Sequence, residues 1–99
     1  MFINKKDVEQ GVVIEIEGRL DTINSPKLEE VLLPLLDENP QVTLDFADVD
    51  YISSAGLRIL LIGQKKAKVN KTMLTLIHVP PVVMSVLIMT GFTEILNVS

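Results

Sequence analysis

The sequence predicts an α/β domain on a mainly parallel central sheet, with an edge strand and about three helices. Three observations support that expectation. Short runs rich in β-branched residues alternate with longer segments of helical apolar spacing, an order that right-handed crossovers convert into a parallel sheet. Ninety-nine residues are enough for one core, so residues 1–99 are expected to form one domain. A hydrophobic content of 47% and a mean hydropathy of +0.38 call for a dense core or a surface that meets a partner.

The elements follow in order. Phe2 to Lys6 is short and partly alternating, which suits an edge strand, and Gln10-Gly11 makes a turn. Val12-Val-Ile-Glu-Ile-Glu17 is a strand that Gly18-Arg-Leu-Asp21 is expected to break. Helix one is expected to begin at Ser25-Pro26, with Ser25 as cap and Pro26 in the first helical position. Leu28, Val31, Leu32, Leu35 and Leu36 form one buried stripe. Pro34 predicts a kink or an early end, and Asn39-Pro40 closes the segment.

Val42 to Phe46 is the next strand. Helix two runs from about Ser54 to Val69, with Leu57, Leu60, Leu61 and Gln64 on one face. Ile59 and Ile62 widen that face, so the helix should pack on more than the sheet. Thr72 to Ile77 is nearly continuous in apolar character, as parallel strands buried on both faces are. Pro80-Pro81 opens a short third helix through about Met89, Gly91 closes it, and Glu94 to Val98 is a last strand. No internal repeat or low-complexity segment interrupts this order.

Charge and motif content narrow the function. The net charge of −4 conceals a division: residues 1–50 hold four Lys/Arg against twelve Asp/Glu, and residues 51–99 hold five against one, Glu94. Overall acidity argues against a nucleic-acid partner, whose phosphates need neutralising. Lys65, Lys66, Lys68 and Lys71 suit the negative end of helix two and are most simply a solvated helix end. No apolar run reaches the ~18 residues that span a bilayer, so membrane insertion is not expected. No N-terminal signal segment is visible and cysteine is absent, which together suit a cytoplasmic protein. No phosphate-binding loop, dinucleotide turn, Gly-x-Ser-x-Gly elbow or metal-ligand spacing occurs, and His78 is the only histidine. Neither a catalytic residue nor a cofactor or metal is therefore expected.

The most informative stretch is Asp45-Phe-Ala-Asp-Val-Asp-Tyr-Ile-Ser-Ser-Ala-Gly-Leu57. An apolar strand ends in an acidic segment, and two serines then open an apolar helix. A hydroxyl at the positive end of a helix can carry an added phosphate at reduced electrostatic cost. Ser53 and Ser54 can equally cap the helix, and Gly56 can permit close backbone approach by the helix or by a partner. The two strand–helix connections, residues 18–25 and 47–54, should meet beyond the carboxyl ends of the strands. There Asp21, Asp48 and Asp50 would converge with the two serines.

This stretch resembles the STAS domain, and in particular the bacterial anti-sigma factor antagonists. Gly18-Arg-Leu-Asp-Thr-Ile-Asn-Ser-Pro26 is similar to the family's Gly-x-Leu-Asp loop, and Met89-Thr-Gly-Phe-Thr-Glu-Ile95 to the end of its third helix. With the three segments in order and sensibly spaced, the match extends over nearly the whole chain. The resemblance implies a STAS-like α/β fold and regulation by partner switching. The unphosphorylated antagonist binds an anti-sigma factor that is also a serine kinase, so that a sigma factor is released. Phosphorylation ends that complex, and a serine phosphatase restores it.

The family's phosphorylated serine falls on Ser54, and Asp21 and Asp45 take family positions near it. Arg58, one turn into helix two, is a further candidate contact, as are Ser53 and Gly56. Two departures stand out. Ser53 replaces the family's usual Asp and is a second candidate acceptor. The chain also reaches Ser99 just after its last strand, where relatives commonly continue into another helix. The C-terminal helix is therefore expected to be absent or truncated, and exposed helix surface could drive homodimer formation. An alternative within the family is a non-phosphorylated adaptor subunit of a membrane transport complex. A nucleotide-responsive domain is a weaker one, since no phosphate cradle is visible.

Overall fold

Two strands joined by a tight turn begin the chain in the computed structural model, which describes residues 1–99. β1 (Phe2–Val8) runs antiparallel to β2 (Gly11–Leu20). Then come α1 (Ser25–Glu38), β3 (Gln41–Ile52), α2 (Ser54–Asn70), β4 (Met73–Ile77), α3 (Pro81–Met89) and β5 (Asn97–Val98). The strands lie in the order β1-β2-β3-β4-β5, and every pair after the first is parallel. The expected edge strand and mainly parallel sheet are both present.

Each crossover advances one strand in the same direction, so right-handed connections put all three helices on one face. Burial agrees. Val12, Ile14, Ile16, Val42, Leu44, Phe46, Leu74 and Leu76 are buried, while the intervening Val13, Glu15, Thr43, Asp45, Thr75 and Ile77 are half-buried. The continuous apolar character of β4 therefore did not mean burial on both sides. The sheet has one covered face and one open face, and Met73 of β4 is itself exposed.

α1 buries Leu28, Leu32, Leu35 and Leu36 as its stripe predicts. It does not stop at Pro34. Pro34 and Glu30 both lie on the exposed side, where water can meet the carbonyl that lost its helical donor. Ser25 is not the cap either. It is buried, and its hydroxyl donates to the Asp21 carbonyl at 2.6 Å, while Asn24 takes the cap position. α2 packs on α1 as well as on the sheet: Lys66 Nζ pairs with Asp37 Oδ2 of α1 at 3.1 Å, and Asn70 donates to the Leu36 carbonyl. The buried side of α2 is Gly56, Leu57, Ile59, Leu60, Gly63 and Ala67, so Leu61 and Gln64 sit at its margin.

Three boundaries differ from expectation. β2 continues through Gly18, which takes a positive φ of 104°, to Leu20. β3 runs six residues past Phe46, because the segment expected as an acidic loop pairs with that extension of β2. The register passes from Glu15↔Asp45 to Glu17↔Asp48, and from Gly18↔Val49 to Arg19↔Tyr51. β3 thus gains one extra residue twice, and these bulges turn Val49 and Ile52 into the core while Asp48 and Asp50 stay exposed. The final strand is only Asn97–Val98. Gly91 at φ 78° ends α3, and the amides of Glu94, Ile95 and Leu96 bond back to Gly91 and Phe92 as a 3-10 turn instead of joining a strand.

Candidate functional site

The ends of β2 and β3 meet at the start of α2, where Ser53 does the structural work. Its backbone is extended (φ −99°, ψ 176°) and its N–H donates to the Leu20 carbonyl at 3.0 Å. Its hydroxyl accepts from the Gly56 N–H and donates to the Leu20 carbonyl, both at a long 3.4 Å. Ser53 is therefore the helix cap. Ser54 occupies the first helical position, is exposed, and its hydroxyl makes no hydrogen bond within the protein. The two adjacent serines, equivalent in the sequence, are thus separated in role.

Gly56, expected among the partner-binding residues, is buried. A Cβ there would stand 2.7 Å from the Leu20 carbonyl oxygen and 2.8 Å from Ile52 Cγ1. Its missing side chain serves the approach of α2 to the strand ends. Arg58 is exposed on the outer side of the same helix and forms no ion pair.

Asp21 follows Leu20, and so lies one residue from the carbonyl that holds Ser53. Its Oδ1 accepts from the backbone N–H groups of Ile23 (3.2 Å) and Asn24 (3.0 Å), and Oδ2 lies 3.6 Å from Arg19 Nε. The Asn24 N–H is the main cause holding this carboxyl below its ordinary 3.8; the Ile23 N–H and Arg19 add to it, and partial burial opposes it. A carboxyl depressed on folding stabilises the fold above its unfolded value, and that help is lost as pH falls through the folded value. Asp21→Asn is therefore expected to melt lower at neutral pH and to show a shallower loss of melting temperature in strong acid. Thermal melts from about pH 6 down to about pH 2 check this.

Asp45 is not beside the serines. It pairs with Glu15, and the extension of β2 from Glu15 to Leu20 spans roughly 17 Å. Its Oδ1 accepts from the Ala47 N–H freed by the first bulge and lies 3.1 Å from His78 Nδ1 on the open face of the sheet. Asp48 also lies apart, lining a shallow depression with Phe2, Asn4, Glu15, Ile16 and Glu17. The expected convergence of acidic groups thus reduces to Asp21 and Asp50 near the helix start.

Two residues that sequence reasoning passed over belong to this end of the molecule. The Arg19 guanidinium lies 4.0 Å from the centroid of the Tyr51 ring, which is 40% exposed. Their pairing depends on the strand extension, so only the register reveals it. No group of three or more His, Cys, Asp or Glu is placed to hold a metal ion. No helix is long and apolar enough to cross a membrane.

A mainly parallel sheet with its helices on one face and its longest strand leading into α2 is a fold shared with a solved STAS domain protein from Planctomyces limnophilus, at a TM-score of 0.85 and 22% identity over 98% of this chain and 87% of the other. The family model described as "Mlab, STAS domain" matches residues 3–97, and the chain belongs to this family. It is 34% identical over 100 residues to BtrV of Bordetella bronchiseptica, a protein named as an anti-sigma factor antagonist, covering 100% of this chain and 86% of BtrV. It is 26% identical over 97 residues to the anti-sigma-B factor antagonist of Bacillus subtilis, covering 98% and 89% of the two chains. Its fold matches the crystal structure of an anti-sigma factor antagonist from Mycobacterium paratuberculosis with a TM-score of 0.87 at 20% identity, over 98% of this chain and 83% of the other.

Proposed function

We propose that the protein is an anti-sigma factor antagonist controlled at Ser54. Unphosphorylated, it binds an anti-sigma factor serine kinase in the cytoplasm and so releases a sigma factor. The kinase then transfers the γ-phosphoryl group of ATP to Ser54 Oγ; ADP leaves, and the hydroxyl proton passes to a base of the kinase. A serine phosphatase reverses the modification by hydrolysis. The protein itself is the substrate and the binding module, not the catalyst.

The observation that carries this reading is the exposed, unbonded hydroxyl of Ser54 beside a neighbour already engaged in capping. The names of the two sequence relatives support it. A phosphate would add about −1.5 to −2 charge, which the first turn of α2 partly offsets. Its effect should fall on a partner surface shaped for a neutral hydroxyl, with Asp21, Ser53 and Arg58 as neighbouring contacts. Asp45, set back on the open face, is assigned no direct contact.

Mass spectrometry after incubation with the cognate kinase and ATP tests this directly, and one phosphate on the peptide bearing Ser54 is expected. A chain that stays unmodified while the kinase phosphorylates a control antagonist would leave the adaptor reading in its place. Self-association is also proposed, through the outer side of α3, where Val82, Ile88 and Met89 are exposed. Light scattering should show the mass rising with concentration, and a monomer throughout would end that part of the reading.

A further inference from the structure

We propose that Ile23, backed by the Arg19–Tyr51 stack, is the anchor on which the partner of this site closes. The inference rests on the reading of that site as the docking surface of an anti-sigma factor kinase. Ile23 stands in the four-residue connection between β2 and α1, and it is 77% exposed. An apolar β-branched side chain in that position gives the isolated domain no core packing.

The loop is nonetheless built to hold it outward. Asp21 Oδ1 accepts from the N–H groups of Ile23 and Asn24, the Asn24 side chain donates to the Arg19 carbonyl at 3.0 Å, and the Ser25 hydroxyl and N–H both bond the Asp21 carbonyl. Such a loop is already ordered before binding, so contact with Ile23 forfeits little conformational entropy.

Position ties the residue to the switch. The loop starts one residue after Leu20, whose carbonyl holds the Ser53 N–H. Asp21 links both parts of the patch, bonding the Ile23 amide through Oδ1 and facing Arg19 through Oδ2. Arg19 in turn lies over the Tyr51 ring. Tyr and Arg are residue types that concentrate binding energy at protein interfaces, and Ile23 adds exposed apolar area beside them that a partner can bury. The most exposed apolar side chains of the helices, Val69 and Met89, lie at the C-terminal ends of α2 and α3, away from the start of α2. The partner surface that fits this patch is an apolar pocket for Ile23, with a carboxylate on its rim to meet the open side of the Arg19 guanidinium.

Calorimetric titration of the full chain with the kinase, without ATP, tests the assignment. Ile23→Ser and Tyr51→Ala should each weaken binding by about tenfold or more. Ile23→Leu should restore most of the affinity, and Val69→Ser, remote from the patch, should leave it unchanged. Thermal melts of Ile23→Ser should match the parent, since the side chain is exposed. Wild-type binding with Ile23→Ser within about twofold of it would overturn the anchor and leave the antagonist reading standing. No binding by the wild-type chain would instead remove the antagonist reading, and the anchor with it.

Discussion

Ser54→Ala is expected to abolish phosphate incorporation while leaving the fold and the complex with the kinase intact. The hydroxyl has no partner inside the protein, so its removal orphans no buried group. Alanine is also the better helix former, so stability should stay within about 0.5 kcal/mol of the parent. The variant would then remain bound to the kinase in the presence of ATP, whereas the parent dissociates. Ser53→Ala should behave in the opposite way. It loses the cap, at about 1 kcal/mol, yet still accepts phosphate at its neighbour. Phosphopeptide mapping and melting curves on the two variants separate these roles. Undiminished incorporation in Ser54→Ala would reassign the acceptor to Ser53.

The largest effect on stability is expected at Gly56→Ala. Helix propensity alone would favour alanine by about 1 kcal/mol. The new methyl, however, would lie 2.7 Å from a backbone carbonyl oxygen, 2.8 Å from Ile52 Cγ1 and 2.9 Å from Leu20 Cγ. A carbonyl fixed in β2 cannot swing aside as a flexible side chain can, so α2 must lift off the strand ends. Overpacking of this kind costs about 1–3 kcal/mol or more. Because the contact is with backbone, the net loss should fall at about 1–2 kcal/mol, lowering the melting temperature by roughly 5–10 °C. Gly63→Ala is the informative comparison. Its methyl would meet Leu32 Cδ2, the far end of a flexible side chain, at 2.9 Å and should cost less. Scanning calorimetry decides, and a Gly56→Ala protein as stable as the parent would refute the packing account. Because the displaced turn carries Ser54, the same variant should also be a poorer kinase substrate.

Much of this architecture is legible from local signals. Ser25-Pro26 and Pro80-Pro81 mark helix starts through backbone chemistry, and the leucines of α1 repeat at one spacing, so neither needs tertiary information. The Ser53-Ser54 pair is legible as a helix start because it opens an apolar helix behind an apolar strand, but which of the two caps is not. What escaped depends on pairing. Asp48-Val-Asp-Tyr51 looks like a loop because its period is broken, but the break is two bulges, which only a partner strand makes visible. The same blindness hid the Arg19–Tyr51 stack, which exists only in the extended register. Motif position placed Asp45 near the serines, whereas the strand carries it roughly 17 Å back. Glu94 and Ile95 suit a strand by composition, but the left-handed Gly91 before them starts a turn that uses their amides locally.

Covering the sheet on one side only has a consequence for how this molecule can change. The uncovered wall carries Val13, Thr43 and Thr75, together with polar pairings such as Asn4 with Glu15 and His78 with Asp45, none of them packed beneath a helix. Replacements there meet solvent rather than a neighbouring layer, so a saturation library should drift freely across that wall. Tolerance should give way to near-invariance at the opposite rim, where helix, loop and strand ends are locked together around a few atoms.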